Sequence, residues 1–176
     1  MTRRLFRDER GIALVEFALS VPLLLLMFIG SYQLTDAISA YRKVTTATRA
    51  IADLSSQYTT VSNSDLDNIL AASQQIMAPY KYANANLVIV QVTIDGSGNS
   101  TVCWSRGLNA TPPTKGTAFT IPSAMKVNGT YLLVAQTTYT YTPVAATSLI
   151  GTIPMKDQII LSPRLSAAVT NTDQPC

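Results

Sequence analysis

One carboxylate sits where carboxylates are expensive. Glu16 is the single charged residue between Ile12 and Gly30, in the run GIALVEFALSVPLLLLMFIG. At about 1.5 Å per residue a helix over that stretch reaches about 28 Å, close to the ~30 Å hydrocarbon core of a bilayer. An ionisable group inside such a segment costs on the order of 2.5–3.5 kcal/mol on insertion scales, so its default reading is functional and it needs a partner. Other chemistry is hard to find. The chain has no histidine, which removes the commonest general base and metal ligand. Cys103 and Cys176 form no CxxC pair, no glycine-rich stretch matches a phosphate loop, and no serine sits in a nucleophile elbow. Asp65 and Asp67 are two apart on a predicted helix and do not face each other as a catalytic pair would. Asp95 to Asn99 places oxygens at alternate positions like the start of a calcium loop, but Arg106 stands where the closing bidentate Glu would be. The expectation is a chain that is not an enzyme and holds no metal or cofactor.

The residues around Glu16 suggest what it does. Arg10-Gly11 ends a basic leader, Ile12 opens the apolar run, and Glu16 is the fifth residue after Gly11. With Val15-Glu16-Phe17-Ala18-Leu19, Pro22-Leu23-Leu24 and Gly30, this stretch resembles the TadE-like family of pilus-assembly proteins of the tight-adherence (Tad) system. The resemblance covers about 25 residues at the front. More loosely, Tyr139-Thr140-Tyr141-Thr142-Pro143 and Pro163-Arg164 are similar to the back half of such proteins. It implies that a prepilin peptidase cuts between Gly11 and Ile12, and that the new Ile12 amine pairs with a Glu16 carboxylate, its own or a neighbour's, beside Phe17. The physics agrees, because a cation and a carboxylate are each costly alone in hydrocarbon and pairing offsets part of both costs. The implied partners are the peptidase, other pilins or pseudopilins, the inner-membrane pilus platform and the membrane itself.

Charge and composition set the topology. Arg3, Arg4, Arg7 and Arg10 against Asp8 and Glu9 put two of the three net positive charges in the leader, a cytoplasmic anchor under the positive-inside rule that sends the rest of the chain across the membrane. The remaining lysines and arginines are scattered singly, without the basic stripe that nucleic-acid binding requires, and no small-molecule substrate is indicated. The even cysteine count is compatible with one disulfide, Cys103 to Cys176, in an oxidising compartment.

These features divide the chain into a basic leader (1–11), a transmembrane helix (12–31) and one extracytoplasmic domain (32–176). Pro22 removes a backbone hydrogen bond inside the span and predicts a kink. Beyond Gly30 the helix continues to about Ser55 as an amphipathic helix, with Leu34, Ala37, Ile38, Tyr41, Val44, Ala47, Ile51 and Leu54 as its apolar stripe and Asp36, Arg42 and Asp53 on the solvated side. Ser64 is the expected cap of a second, short helix that Pro79 stops. Val88, Val90, Val92 and Ile94 share one face of a strand, and Asp95–Asn99 turns it into a second strand, on which Val102 and Trp104 share a face opposite Cys103. Gly107–Pro122 reads as a loop free to move or to meet a partner. Tyr131–Thr142 is a strand with one wet face, Val144–Met155 an apolar loop or short helix, and Ile159–Leu161 a further strand before a small-residue tail.

The fold expectation is therefore pilin-like α+β: a long N-terminal membrane-spanning helix, a second short helix and a small antiparallel sheet. The function expectation is a minor pilin or pseudopilin of a Tad-type pilus, in the bacterial inner membrane with its N-terminus cytoplasmic, cut after Gly11 and acting in pilus assembly and adherence. Two alternatives share much of the pattern. One is an uncleaved envelope scaffold of a secretion or pilus platform. The other is a secreted β-rich binding domain released from a signal peptide over residues 3–39, which the length of the apolar run and the presence of Glu16 disfavour.

Overall fold

The computed structural model describes residues 10–144 and 151–176; most of the basic leader and part of the Val144–Met155 segment lie outside the described residues. Helix α1 spans Arg10–Ser56 without interruption, through Pro22. Strand β1 (Thr60–Val61) and helix α2 (Asn63–Gln75) follow, then strands β2 (Ala85–Ile94), β3 (Ser100–Leu108), β4 (Tyr131–Tyr141), β5 (Ile153–Leu161) and β6 (Thr170–Asn171). The main sheet is antiparallel throughout, in the order β3-β2-β4-β5, and β1 pairs with β6 in parallel. The class is α+β, with α1 lying on β4 and β5, and α2 on β3 and β2.

The upper half of α1 packs through small side chains. Ala40, Val44, Ala47, Ile51 and Ala52 are fully buried, whereas Leu34, Ile38, Tyr41 and Leu54 of the expected stripe are exposed. The seam is rotated because alanine and valine let the helix approach the sheet closely, so tight packing selects them over the bulkier neighbours. Asp36, expected in solvent, is turned inward: the Tyr80 hydroxyl donates to its Oδ1 at 2.9 Å and the Tyr141 hydroxyl to its Oδ2 at 2.5 Å. At the other end of α1, the Arg164 amide donates to the Ser56 carbonyl (3.0 Å) and its guanidinium pairs with Asp53 at 2.5 Å, a cation at the end of the helix where carbonyls lack partners.

Helix α2 starts two residues earlier than its sequence suggests. Ser62, not Ser64, is the cap, with its side chain accepting from the Asp65 amide and Asp65 accepting from the Ser62 amide at 2.8 Å. Both serines have an Asp three residues on, so the motif alone does not choose between them. Placing the start at Asn63 sets the Asn63 amide on Asp173 of the C-terminal tail at 2.7 Å and leaves Asp67 free for a bidentate pair with Arg106 of β3, at 2.7 and 2.6 Å. That pair holds the Asp67 carboxyl below the usual carboxylate range.

The sheet is buried on both faces over half its length. Leu87, Ile89, Trp104, Leu133, Ala135 and Tyr139 pack beneath the helices, while Val88, Val90, Val92, Val102, Leu132 and Val134 form a second core on the other side. The Gly107–Pro122 segment supplies that second core's cover with Ala110, Phe119 and Ile121, so it is a packed flap and not a free loop. The wet face foreseen for β4 survives only at Gln136, Thr138 and Thr140, beyond the flap. A bulge explains why Val102 and Trp104 do not share a face: Gln91 opposes Trp104 and Val92 opposes Val102, leaving Cys103 as the extra residue. Gly107 is required here, because a Cβ would lie 2.5 Å from the Ala110 carbonyl oxygen. Strand β5 begins at Ile153, six residues before the predicted Ile159; Met155, Asp157 and Ile159 are buried or half-buried on one face while Lys156 and Gln158 are exposed on the other, the pattern of an edge strand half-covered by α1.

The C-terminal tail is core rather than fringe. Val169 is fully buried, its amide donates to Gln91 Oε1 and its carbonyl accepts from the Trp104 indole, both at 2.8 Å. A disulfide joins Cys103 of the bulge to Cys176, with Cα atoms 4.9 Å apart, and the Gln91 amide sits against both sulfurs. Closing a loop with a sequence separation of 73 residues stabilises a fold by about 4 kcal/mol in the chain-entropy model. Reduction, or Cys176→Ser, is expected to lower the thermal midpoint of the domain by on the order of 10 to 15 °C. Thermal unfolding followed by Trp104 fluorescence with and without reductant checks this, and an unchanged midpoint would show that the tail holds without its covalent tie.

Candidate functional site

The first half of α1 stands clear of the rest of the protein. Ile12, Leu14, Val15, Phe17, Leu19 and Leu23–Phe28 are all exposed, and the helix is long and apolar enough to cross a membrane, with none of its most apolar window buried. A bare surface of this kind is costly in water and natural in lipid.

Gly11, Ile12, Val15, Glu16 and Leu19 line one side of this helix. The spacing produces that grouping, since residues three and four apart lie over each other on a helix. Ile12 therefore sits one turn before Glu16 on the same side of the helix. Phe17 is exposed on the adjoining surface. Pro22 lies within the continuous helix and leaves the Ala18 carbonyl without its i+4 amide donor. Among the described residues no side chain pairs with Glu16, and its neighbours one turn away are Ile12, Ala13, Leu19 and Ser20. A Cβ on Gly11 would meet nothing within 4 Å, so packing within the chain does not call for glycine there, although glycine costs a helix about 1 kcal/mol relative to alanine. Cys103 of the sheet and Cys176 of the C-terminal tail are joined to each other far from this arrangement and play no part in it.

The sequence reading missed the group that ties this helix to the domain. Asp36, Tyr80 and Tyr141 form a hydrogen-bonded cluster, with Tyr139 packed edge-on to Tyr80 and ring centroids 6.5 Å apart. Tyr80 also donates toward the Asp36 carbonyl at 3.0 Å. Burial, then the adjacent Asp36 carboxylate, pushes the Tyr80 hydroxyl up to about 12 and raises Tyr141 further, so both remain donors in neutral water. The signal in the sequence was the tyrosine pair ending a strand: phenols that leave water need an acceptor, and Asp36 is the carboxylate nearest the end of the apolar run. The acidic and metal-binding possibilities end elsewhere. No group of His, Cys, Asp and Glu suited to a metal exists among the described residues, and Asp95 is occupied as acceptor of its own turn's Ser97 and Asn99 amides at 2.8 and 2.9 Å.

Because both tyrosines titrate above their ordinary value in the folded protein, their contribution to docking α1 is present below the ordinary phenol value and is lost as pH rises beyond it. Docking is expected to hold to pH 10 and weaken between pH 10 and about 12. Asp36→Ala, which strands two phenols, is expected to destabilise by about 1–3 kcal/mol. Thermal unfolding in detergent at stepped pH, wild type against Tyr80→Phe and Asp36→Ala, measures both effects, and a Tyr80→Phe profile unchanged between pH 10 and about 12 would count against the cluster's role.

Residues 11–53 match the family model described as TadE-like protein. The matched stretch is the bare half of α1 and nearly all of its packed half, including Glu16 and Asp36. No curated protein and no solved structure matches the chain.

Proposed function

We propose, from the TadE-like match over residues 11–53, that this chain is a minor pilin or pseudopilin of a Tad-type pilus, anchored by residues 12–31 with residues 32–176 outside the cytoplasm. A prepilin peptidase cuts between Gly11 and Ile12, and the processed chain acts with other pilins or pseudopilins and the inner-membrane platform in pilus assembly and adherence. The observation that carries this reading is the placement of Glu16: one turn after Ile12, on a helix otherwise apolar, with no partner among the described residues. Cleavage would create the missing cation where it is needed. Before the cut, the Ile12 nitrogen is a neutral amide; afterwards it is an ammonium within reach of its own Glu16 or of a neighbouring chain's. In hydrocarbon an ion pair of good geometry offsets much of the desolvation that each charge alone would bear. The free space around Gly11 supports a glycine kept for recognition by another protein. Release from a signal peptide near Ser39 is the less compatible alternative, because it would remove Asp36 and leave Tyr80 and Tyr141 without their acceptor.

Intact mass and N-terminal sequencing of the protein from membranes of its native host test the cut. A chain beginning at Ile12 is expected; one beginning at Met1 in a host with active peptidase would instead indicate a permanently anchored scaffold. Gly11→Ala is expected to slow processing and a bulkier residue to abolish it. Glu16→Ala should leave membrane insertion intact while lowering incorporation into pili by roughly tenfold or more, the scale of one lost buried pair. Unchanged piliation in that variant would remove the pairing role.

A further inference from the structure

The end of the domain nearest the membrane carries its own apolar collar. Strand β4 runs down toward the level of Asp36, since Tyr141 at its end reaches that carboxylate, and β5 starts there, with Ile153 paired to Tyr141. Tyr82 lies in the turn just before Ala85, which pairs with Tyr139. Tyr32, Tyr82, Val144 and Ile153 at this end are all exposed, Val144 at 78%. Pro154 is exposed beside them. The opposite end of the sheet presents the polar Asp95–Asn99 turn, with Met125 and Val127 exposed beside it and no tyrosine collar. Asp36 is the one described carboxylate at the collar and is held by two tyrosines, while Lys81 is exposed beside Tyr82.

Height decides what covers this collar. If the span ends at Ser31, Asp36 stands about 7 Å above the hydrocarbon boundary at 1.5 Å per residue, and the headgroup layer on each side is itself about 5–7 Å deep. The two tyrosine hydrogen bonds hold the base of the sheet to the helix at that level, so the collar is not free to swing away. Tyrosine is a residue of the membrane–water boundary, with an apolar ring and a polar tip. We infer that the base of the domain, through Tyr32, Tyr82 and Val144, rests in the headgroup region of the outer leaflet, with Lys81 facing lipid phosphates. The domain is thus seated on the bilayer surface and not suspended above it. This seating rests on the membrane-anchored reading of α1 and adds a second, peripheral contact to it.

The test uses the full chain reconstituted in phosphatidylcholine–phosphatidylglycerol vesicles containing doxyl-labelled phosphatidylcholine. An environment-sensitive fluorophore is attached to one introduced cysteine at a time, the native pair being held in its disulfide: Leu25→Cys in the span, Val144→Cys in the collar and Asn99→Cys in the far turn. The expected result is that the Leu25 and Val144 probes lose most of their emission to the lipid quencher and the Asn99 probe keeps it. A quenched Leu25 probe with an unquenched Val144 probe overturns the seating while leaving the span intact. A Val144 probe shielded from aqueous iodide only as protein density rises, without lipid quenching, also overturns it and assigns the collar to a second copy. An unquenched Leu25 probe overturns the span reading itself, and the seating with it.

Discussion

A single uninterrupted helix has to satisfy two solvents. Over its first half α1 offers large aliphatic side chains on every side, and over its second half it offers one face of alanine, valine and isoleucine to a sheet. The rest of the fold depends on that second face being narrow and small. Ala40, Val44, Ala47 and Ile51 let β4 and β5 approach, and the approach in turn buries Tyr139 and Tyr141 and brings a phenol to Asp36. Larger residues along the seam would separate helix and sheet before any of those contacts formed. The transition between the two regimes falls within a few residues of Asp36, so the polar cluster marks the change of surroundings along the helix.

Much of this was legible from residue pattern. A 3.6-residue period that shifts to 2 after Leu87, the Asp95–Asn99 turn and the apolar N-terminal run were enough to indicate one long helix, one short helix and a small antiparallel sheet. What periodicity could not resolve was which of two overlapping stripes on α1 faces inward. Leu34, Ile38 and Tyr41 are more hydrophobic than Ala40 and Ala47, yet packing density, not hydrophobicity, chose the face. The Cys103 bulge was invisible for a related reason: inserting one residue reverses every later side chain, and nothing in the string VCW announces it. The flap was misjudged because proline, threonine and glycine suggest exposed chain, whereas here the segment covers apolar surface left by the sheet.

The candidate site was more legible than the fold around it. Glu16 stands out by cost alone, in a helix where no other charge occurs for nearly twenty residues. Its geometric relation to Ile12 follows from spacing on a helix, and the structure adds the openness around Gly11 and the bareness of the surface. Asp36 escaped notice because a carboxylate on an amphipathic helix is ordinarily solvated; only the distant Tyr80 and Tyr141 give it a reason to turn inward, and no local pattern records a contact across a hundred residues.

The threading of the tail through the core has a bearing on the order of biosynthesis. Val169 lies between the Gln91 amide and the Trp104 indole, and Cys176 closes on the bulge that separates the two faces of the sheet. Among the described residues strand β1 likewise finds its one ladder partner in β6. The helices and first hairpin emerge early, but the core they share is left open until residues 169–176 arrive. The tail is thus the closing piece of the domain, and the helices and hairpin made before it hold an unfinished core until it threads through.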